Sequence, residues 1–153
     1  MDKIRQGRFL SRAPRLNRLI VISVSLLALL LTVGCAQQVA SPLADYVDLG
    51  AVEAATLIQE NEANPDFIIL DVRTPAEYNA GHIEGALMID FNADGFREKI
   101  DQLDRDKTYL VYCRTGNRSR GALEIMAELG FPRVYHLVTG IVGWQEAGLP
   151  VVS

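Results

Sequence analysis

Cysteine, histidine and tryptophan are nearly missing from this chain: two cysteines, two histidines and one tryptophan stand among 153 residues. The cysteines, Cys35 and Cys113, lie far apart and no paired-cysteine spacing occurs, so neither a disulfide framework nor a tetrahedral zinc site has its ligands. No metal and no other cofactor is expected. Positive charge is scarce once the first 34 residues are set aside, because 9 Lys and Arg then face 18 Asp and Glu, a formal charge of −9. So acidic a chain is a poor partner for nucleic acid. Acids in turn are missing from Lys107 to Leu123, a stretch that gathers Arg114, Arg118 and Arg120 around Cys113.

Long apolar runs are also rare, with one exception near the N-terminus. Met1 to Arg18 carries six basic side chains against one acid, and Leu19 to Gly34 follows as an uncharged apolar run of 16 residues. That order is the n-region and h-region of a signal peptide. The run sits at the lower edge of what crosses a hydrocarbon core of roughly 30 Å at about 1.5 Å per residue. It ends in "LTVGC", Leu31 to Cys35, which resembles the lipobox of bacterial lipoproteins, although Thr32 stands where that family usually has Leu. The resemblance implies residues 1–34 as a cleaved signal peptide and Cys35 as the lipidated mature N-terminus. An uncleaved signal anchor is the alternative. Either way the basic segment stays inside, which places the domain on the extracytoplasmic, periplasmic side of a bacterial membrane. Residues 35–44, uncharged and holding Pro42, read as a tether.

Beyond the tether, "YVDL", "FIIL", "ALMI", "TYLVYC" and "RVYHL" are short branched apolar runs expected to form five strands. Ala51, Ala54, Ala55 and Ile58 mark one helical face between them; Phe96, Ile100 and Leu103 mark a second, and Ala122, Leu123, Met126 and Leu129 a third. Gly130 and Pro132 close the third helix. Strands apolar along their whole length, each followed by a helix, predict an α/β domain with a mainly parallel sheet covered on both faces. Ligands of such sheets bind beyond the carboxyl ends of the strands, where Cys113 falls.

Cys113 to Arg118 then becomes a tight turn, relieved by Gly116, that feeds a helix N-terminus. Its backbone N–H groups line a concave anion site with the thiol at the rim. A thiol ordinarily titrates near pH 8.5, and lowering it by about two units takes roughly 2.7 kcal/mol. A helix N-terminus supplies ~0.3–1 kcal/mol, whereas a guanidinium ~4 Å away supplies up to ~4 kcal/mol at an effective dielectric near 20. The arginines are therefore expected to dominate the ionisation of Cys113, with no neighbouring base required. Asn117-Arg118-Ser119 also matches the glycosylation acceptor pattern, but a sugar there blocks the turn. Arg120, one residue into the helix, reads as a solvated cation.

Three stretches together resemble the rhodanese domain, the sulfurtransferase module: "LDVRTPAEYNAGHIEGA" from Leu70, "YCRTGNRS" from Tyr112 and "TGIVGWQEAGLPV" from Thr139. The resemblance spans residues 45–153 as one rhodanese-like domain. It implies a sulfane sulfur carried on Cys113 as a persulfide, a small anionic donor such as thiosulfate, and a thiol or cyanide acceptor. Carried over by position, Cys113 is the nucleophile, and Arg114, Thr115, Gly116, Asn117, Arg118 and Ser119 hold the persulfide and the donor. The family commonly has two glycines where Thr139 and Gly140 stand, a departure expected to bear on pocket shape. Arg73 and Glu77, four apart, are expected to pair with each other. His82 is expected to be hydrogen-bonded where the chain re-enters the sheet, His136 to face a polar neighbour from its strand, and Trp144 to lie in the core.

Two other readings share this loop. Cysteine-dependent phosphatases of the cell-cycle type have the same fold but place five residues between cysteine and arginine, where Cys113 and Arg118 are separated by four. A membrane-tethered, non-catalytic sulfur carrier needs the same loop as an enzyme and stays open.

Overall fold

The structure, a computed structural model, describes residues 46–153. The expected signal peptide, Cys35 and the tether lie outside the described residues. From Tyr46 the chain alternates strand and helix: β1 (Tyr46–Leu49), α1 (Ala51–Glu60), β2 (Phe67–Asp71), α2 (Pro75–Asn79), β3 (Leu87–Met88), α3 (Phe96–Asp101), β4 (Thr108–Tyr112), α4 (Asn117–Glu128), β5 (Val134–Leu137) and α5 (Gly140–Glu146). The strands form one sheet in the order β1-β5-β4-β2-β3, and every neighbouring pair is parallel. All five expected strands are present. The helix Gly140–Glu146 has no counterpart among the three helical faces marked by the apolar spacing.

Side chains of a strand alternate between faces, and that alternation sorts the core into two layers. Tyr109, Val111 and Cys113 point with Leu70, Val72 and Val134 toward α3 and α4, where Phe96, Ile100, Ala122, Leu123 and Met126 meet them. Leu110 and Tyr112 point the opposite way with Ile69 and Leu137, against Ala54 of α1 and Ile141 and Trp144 of α5. Each large apolar side chain buried this way is worth about 1.5–3 kcal/mol. Trp144 lies in this second layer and donates its indole N–H to the Pro150 carbonyl at 2.8 Å.

The order of the strands positions the site. From β2 the chain moves outward to edge strand β3, then returns to β4 and proceeds the other way to β5. The reversal leaves a crevice at the carboxyl ends of β2 and β4, the place where open α/β sheets hold their ligands. Asp71 and Cys113 stand at those two ends.

Candidate active site

Cys113 follows directly on central strand β4 and is 1% exposed. Gly116 caps α4 in the left-handed conformation at φ +93°, and a side chain there would strike the Val138 carbonyl. Glycine is the residue that meets both demands. The turn points the amide of Gly116 at Cys113 Sγ, 3.2 Å away, while the Ser119 hydroxyl donates to the same sulfur at 3.4 Å. Burial pushes the thiol up, but the Ser119 hydroxyl and the amides of Ser119, Thr115 and Gly116 outweigh it and hold the thiol below its ordinary value.

That balance corrects the expectation that guanidinium charge dominates. Arg118 is turned away onto Glu77, each of its terminal nitrogens 2.7 Å from a carboxylate oxygen. Glu77 is brought from 41 residues away and enters the acid-free stretch through space. Its carboxylate also accepts from the Thr74 amide at 3.1 Å and hydroxyl at 2.9 Å, in a capping box that starts α2. The Arg118 guanidinium and these Thr74 bonds hold Glu77 down at about 2. Arg118 is raised in return, first by Glu77 and further by the Cys113 thiolate.

The expected Arg73–Glu77 pair does not form. Arg73 folds back on the buried Asp71, with Nη2 at 2.7 Å from Oδ2, and donates to the Gly81 carbonyl at 2.8 Å. Asp71, fully buried at the end of β2, needs a cation, while the capping box has already oriented Glu77 elsewhere. Burial works against the charge of Arg73, yet Asp71 outweighs it and raises the guanidinium. Arg73 lies over the ring of Tyr112, whose hydroxyl burial pushes up and which accepts from the Ile83 amide at 3.2 Å.

Helix α5 supports the loop from behind. Its first free N–H groups, Ile141 and Val142, donate to the carbonyls of Cys113 at 2.9 Å and Arg114 at 3.1 Å. Gly140, at φ +61°, lies so close to Arg114 and Thr115 that a side chain would meet their backbone. Thr139 instead covers Gly143 and does not enter this contact. The glycine that touches the loop is therefore the one the chain keeps, and the departure at Thr139 falls beside it.

Of the remaining residues expected in the site, Arg114, Thr115 and Asn117 are exposed at the mouth, and Ser119 is buried against the sulfur. A cleft of about 280 Å³ opens beside the loop between Arg73, Glu77, Gly81, Arg114, Ile141 and Gln145. A larger cavity of about 580 Å³, reaching from Ile58 to Trp144, includes no residue of the loop. Arg120 is exposed and its guanidinium reaches the Tyr46 hydroxyl at 3.4 Å. His82 stacks on Tyr78, donates from Nδ1 to the Tyr78 carbonyl at 3.1 Å and bridges Val152 by its backbone, as the expected role in chain re-entry requires.

A parallel sheet covered on both faces, with a buried cysteine held in an amide-lined turn at the end of its central strand, defines an α/β domain whose thiol is held below its ordinary value. The model of the rhodanese-like domain matches residues 51–147, and the chain belongs to that family. It is 32% identical over 102 residues to a sulfurtransferase of Allochromatium vinosum, covering 67% of this chain and 94% of that protein. It is 36% identical over 120 residues to the tRNA uridine(34) hydroxylase of Citrobacter koseri, covering 72% of this chain but 34% of that protein. Among solved structures, a rhodanese-related protein of Thermoplasma volcanium superposes with a TM-score of 0.58 at 37% identity, over 70% of this chain and 98% of that one.

Proposed function

We propose that the protein is a sulfurtransferase that moves a sulfane sulfur from a thiosulfate-like donor to a thiol or cyanide acceptor through a Cys113 persulfide. The observation that carries this reading is the contact of Sγ with the Gly116 amide and the Ser119 hydroxyl, in a turn whose neutral donors favour the thiolate. Membership of the family and the likeness to a sulfurtransferase along nearly its whole length support it.

In the first half-reaction the Cys113 thiolate attacks the outer sulfur of the donor. An S–S bond forms to Sγ, the bond between the two donor sulfurs breaks, and sulfite departs with its electron pair. The added sulfur, now the anionic end of the persulfide, takes the place at the cradle that Sγ held. In the second half-reaction an acceptor thiolate or cyanide attacks that terminal sulfur, and the electron pair of the broken S–S bond returns to Sγ. Covalent two-step transfer of this kind gives ping-pong kinetics. Exposed Arg114 and the adjoining cleft offer the donor and acceptor an approach. Phosphate hydrolysis is disfavoured, because Arg118 is committed to Glu77 and the loop is short for a tetrahedral anion.

We further propose a tether: lipid on Cys35 holds the domain on the periplasmic face of a bacterial membrane. The intact mass of protein purified from membranes, before and after thiosulfate, tests both proposals in one measurement. One added sulfur on the Cys113 peptide and a lipid-sized increment on Cys35 are expected. A chain that takes up no sulfur from any sulfane donor overturns the transferase reading, and a chain still carrying residues 1–34 overturns the lipid tether.

A further inference from the structure

We propose that Asp48, His136 and Ser119 form a proton relay ending on Cys113 Sγ, in which His136 holds the thiol proton while the sulfur is ionised. The proposal rests on Cys113 as the nucleophile and adds His136 and Asp48 as positioning residues that act through Ser119.

The parallel register places these groups together. Asp48 of β1 is the direct partner of His136 of β5, and His136 is in turn the partner of Val111 of β4, two residues before Cys113. Alternation then puts Asp48, His136, Val111 and Cys113 on the face that α4 covers, where α4 delivers Ser119. His136 Nδ1 lies 2.7 Å from Asp48 Oδ1, and Nε2 lies 2.9 Å from Ser119 Oγ. The Ser119 oxygen lies 3.4 Å from Sγ and 3.0 Å from the Gly116 carbonyl. His136 is fully buried, whereas the Asp48 side chain is 48% exposed at the sheet edge. The row thus runs from solvent to the sulfur.

Hydrogen bookkeeping separates two states. Ser119 has one proton for three acceptors, Nε2, Sγ and the Gly116 carbonyl, and cannot donate at once to Nε2 and to Sγ. With a neutral thiol, His136 is protonated on Nδ1 toward Asp48, and Ser119 donates to Nε2. On ionisation, Ser119 passes its proton to Nε2 and takes the proton of Sγ, leaving a Cys113 thiolate and a His136 imidazolium. The electron pair of the S–H bond stays on sulfur, Ser119 ends as a hydroxyl that donates to the thiolate, and no oxidant or reductant is involved. Asp48 supplies the counter-charge that the buried imidazolium needs. The other groups around His136 leave this exchange alone. Tyr46 meets the ring edge-on at 5.9 Å, Val111 brings no charge, Arg120 reaches only as far as the Tyr46 hydroxyl, and Arg118 is held by Glu77.

The test compares the whole chain with its H136Q and D48N variants by thiolate ultraviolet absorbance and by iodoacetamide alkylation of Cys113 across the pH range. Glutamine keeps a donor and an acceptor but binds no proton; Asp48→Asn, at a half-exposed edge position, keeps the fold even where H136Q does not. The acid limb of both curves is expected to rise by about one unit in H136Q and by less in D48N. Alkylation near pH 6 then falls ~tenfold in H136Q while the rate above about pH 9 stays within about twofold. Curves that superimpose on the parent's in D48N, or in a folded H136Q, overturn the relay. Thiosulfate loading of the parent chain is measured alongside, so that a parent that takes no sulfur counts against the transferase reading, while the titration still judges the relay.

Discussion

Arg118 and Glu77 face each other as a two-pronged ion pair, two guanidinium nitrogens each 2.7 Å from a carboxylate oxygen. The pair ties the first turn of α4 to the start of α2, and so joins the cysteine loop to the connection that leaves β2. Both side chains are about a quarter exposed, at 23% and 30%, so the pair is neither fully screened nor fully desolvated.

Glu77→Gln removes the charge and one acceptor of the fork while its amide oxygen can still accept from the Thr74 amide, at an expected cost of roughly 1–2 kcal/mol near neutral pH. The sign of its pH dependence follows from a carboxyl held at about 2 in the fold against an ordinary 4.5. That contribution is complete above about 4.5 and is lost as pH falls toward 2. Urea melts between these limits should show the parent losing stability more steeply than Glu77→Gln. Parallel curves would mean that Glu77 carries no such linkage.

Double-mutant cycles separate the pair that forms from the pair that does not. Glu77 with Arg118 should couple by about 0.5–1.5 kcal/mol, and Glu77 with Arg73 by less than about 0.5. Arg73→Met alone should cost about 3–5 kcal/mol, because it strands the buried Asp71 carboxylate without its cation. Chemical denaturation of the single and double variants gives all of these quantities.

The contrast between these two arginines shows what the sequence made legible. Five apolar runs and the spacing of Ala122, Leu123 and Met126 were enough for strands, a covering helix and a parallel sheet, since burial on both faces leaves a mark on every position of a strand. The loop was equally legible, because Cys113, Gly116 and Ser119 are local to one turn. Partners of charged groups were not. Glu77 reaches Arg118 across 41 residues, and Asp48 reaches His136 across 88, only because strand order and register bring them together. Local spacing favoured Arg73 with Glu77, but the demand of a buried carboxylate at Asp71 overrode it. Helix α5 escaped for a different reason: "GIVGWQE" holds two glycines in seven residues, and its N-terminal amides are paid for by loop carbonyls that no pattern reveals.

Thr139 and Gly140 should respond in opposite measure to exchange. Gly140→Ala forces a left-handed residue and a clash with the backbone of Arg114 and Thr115, with an expected loss of about 2–4 kcal/mol and of sulfur loading. Thr139→Gly, which restores the glycine pair common in the family, should change stability by less than about 1 kcal/mol and leave loading intact. Thermal melts and the mass of the Cys113 peptide after thiosulfate decide between this and a loop shaped by Thr139.

Ser119→Ala removes the strongest of the contacts that lower Cys113, and with it the link from His136 to the sulfur. Burial alone pushes the thiol up, and the Ser119 hydroxyl leads the groups that reverse it, ahead of the amides of Ser119, Thr115 and Gly116. Removing that hydroxyl should therefore raise the thiol and reduce the thiolate present at neutral pH. Iodoacetamide alkylation near pH 7 is expected to fall about threefold to tenfold, while the plateau rate at high pH is kept, since the intrinsic reactivity of the anion is little altered. Arg118→Met should move the same curve less, because its guanidinium is already neutralised by Glu77. If Arg118→Met shifts the acid limb further than Ser119→Ala does, the guanidinium and not the hydrogen bonds of Ser119 and the loop amides holds the sulfur ionised, and the cradle described for Cys113 is wrong in its main cause.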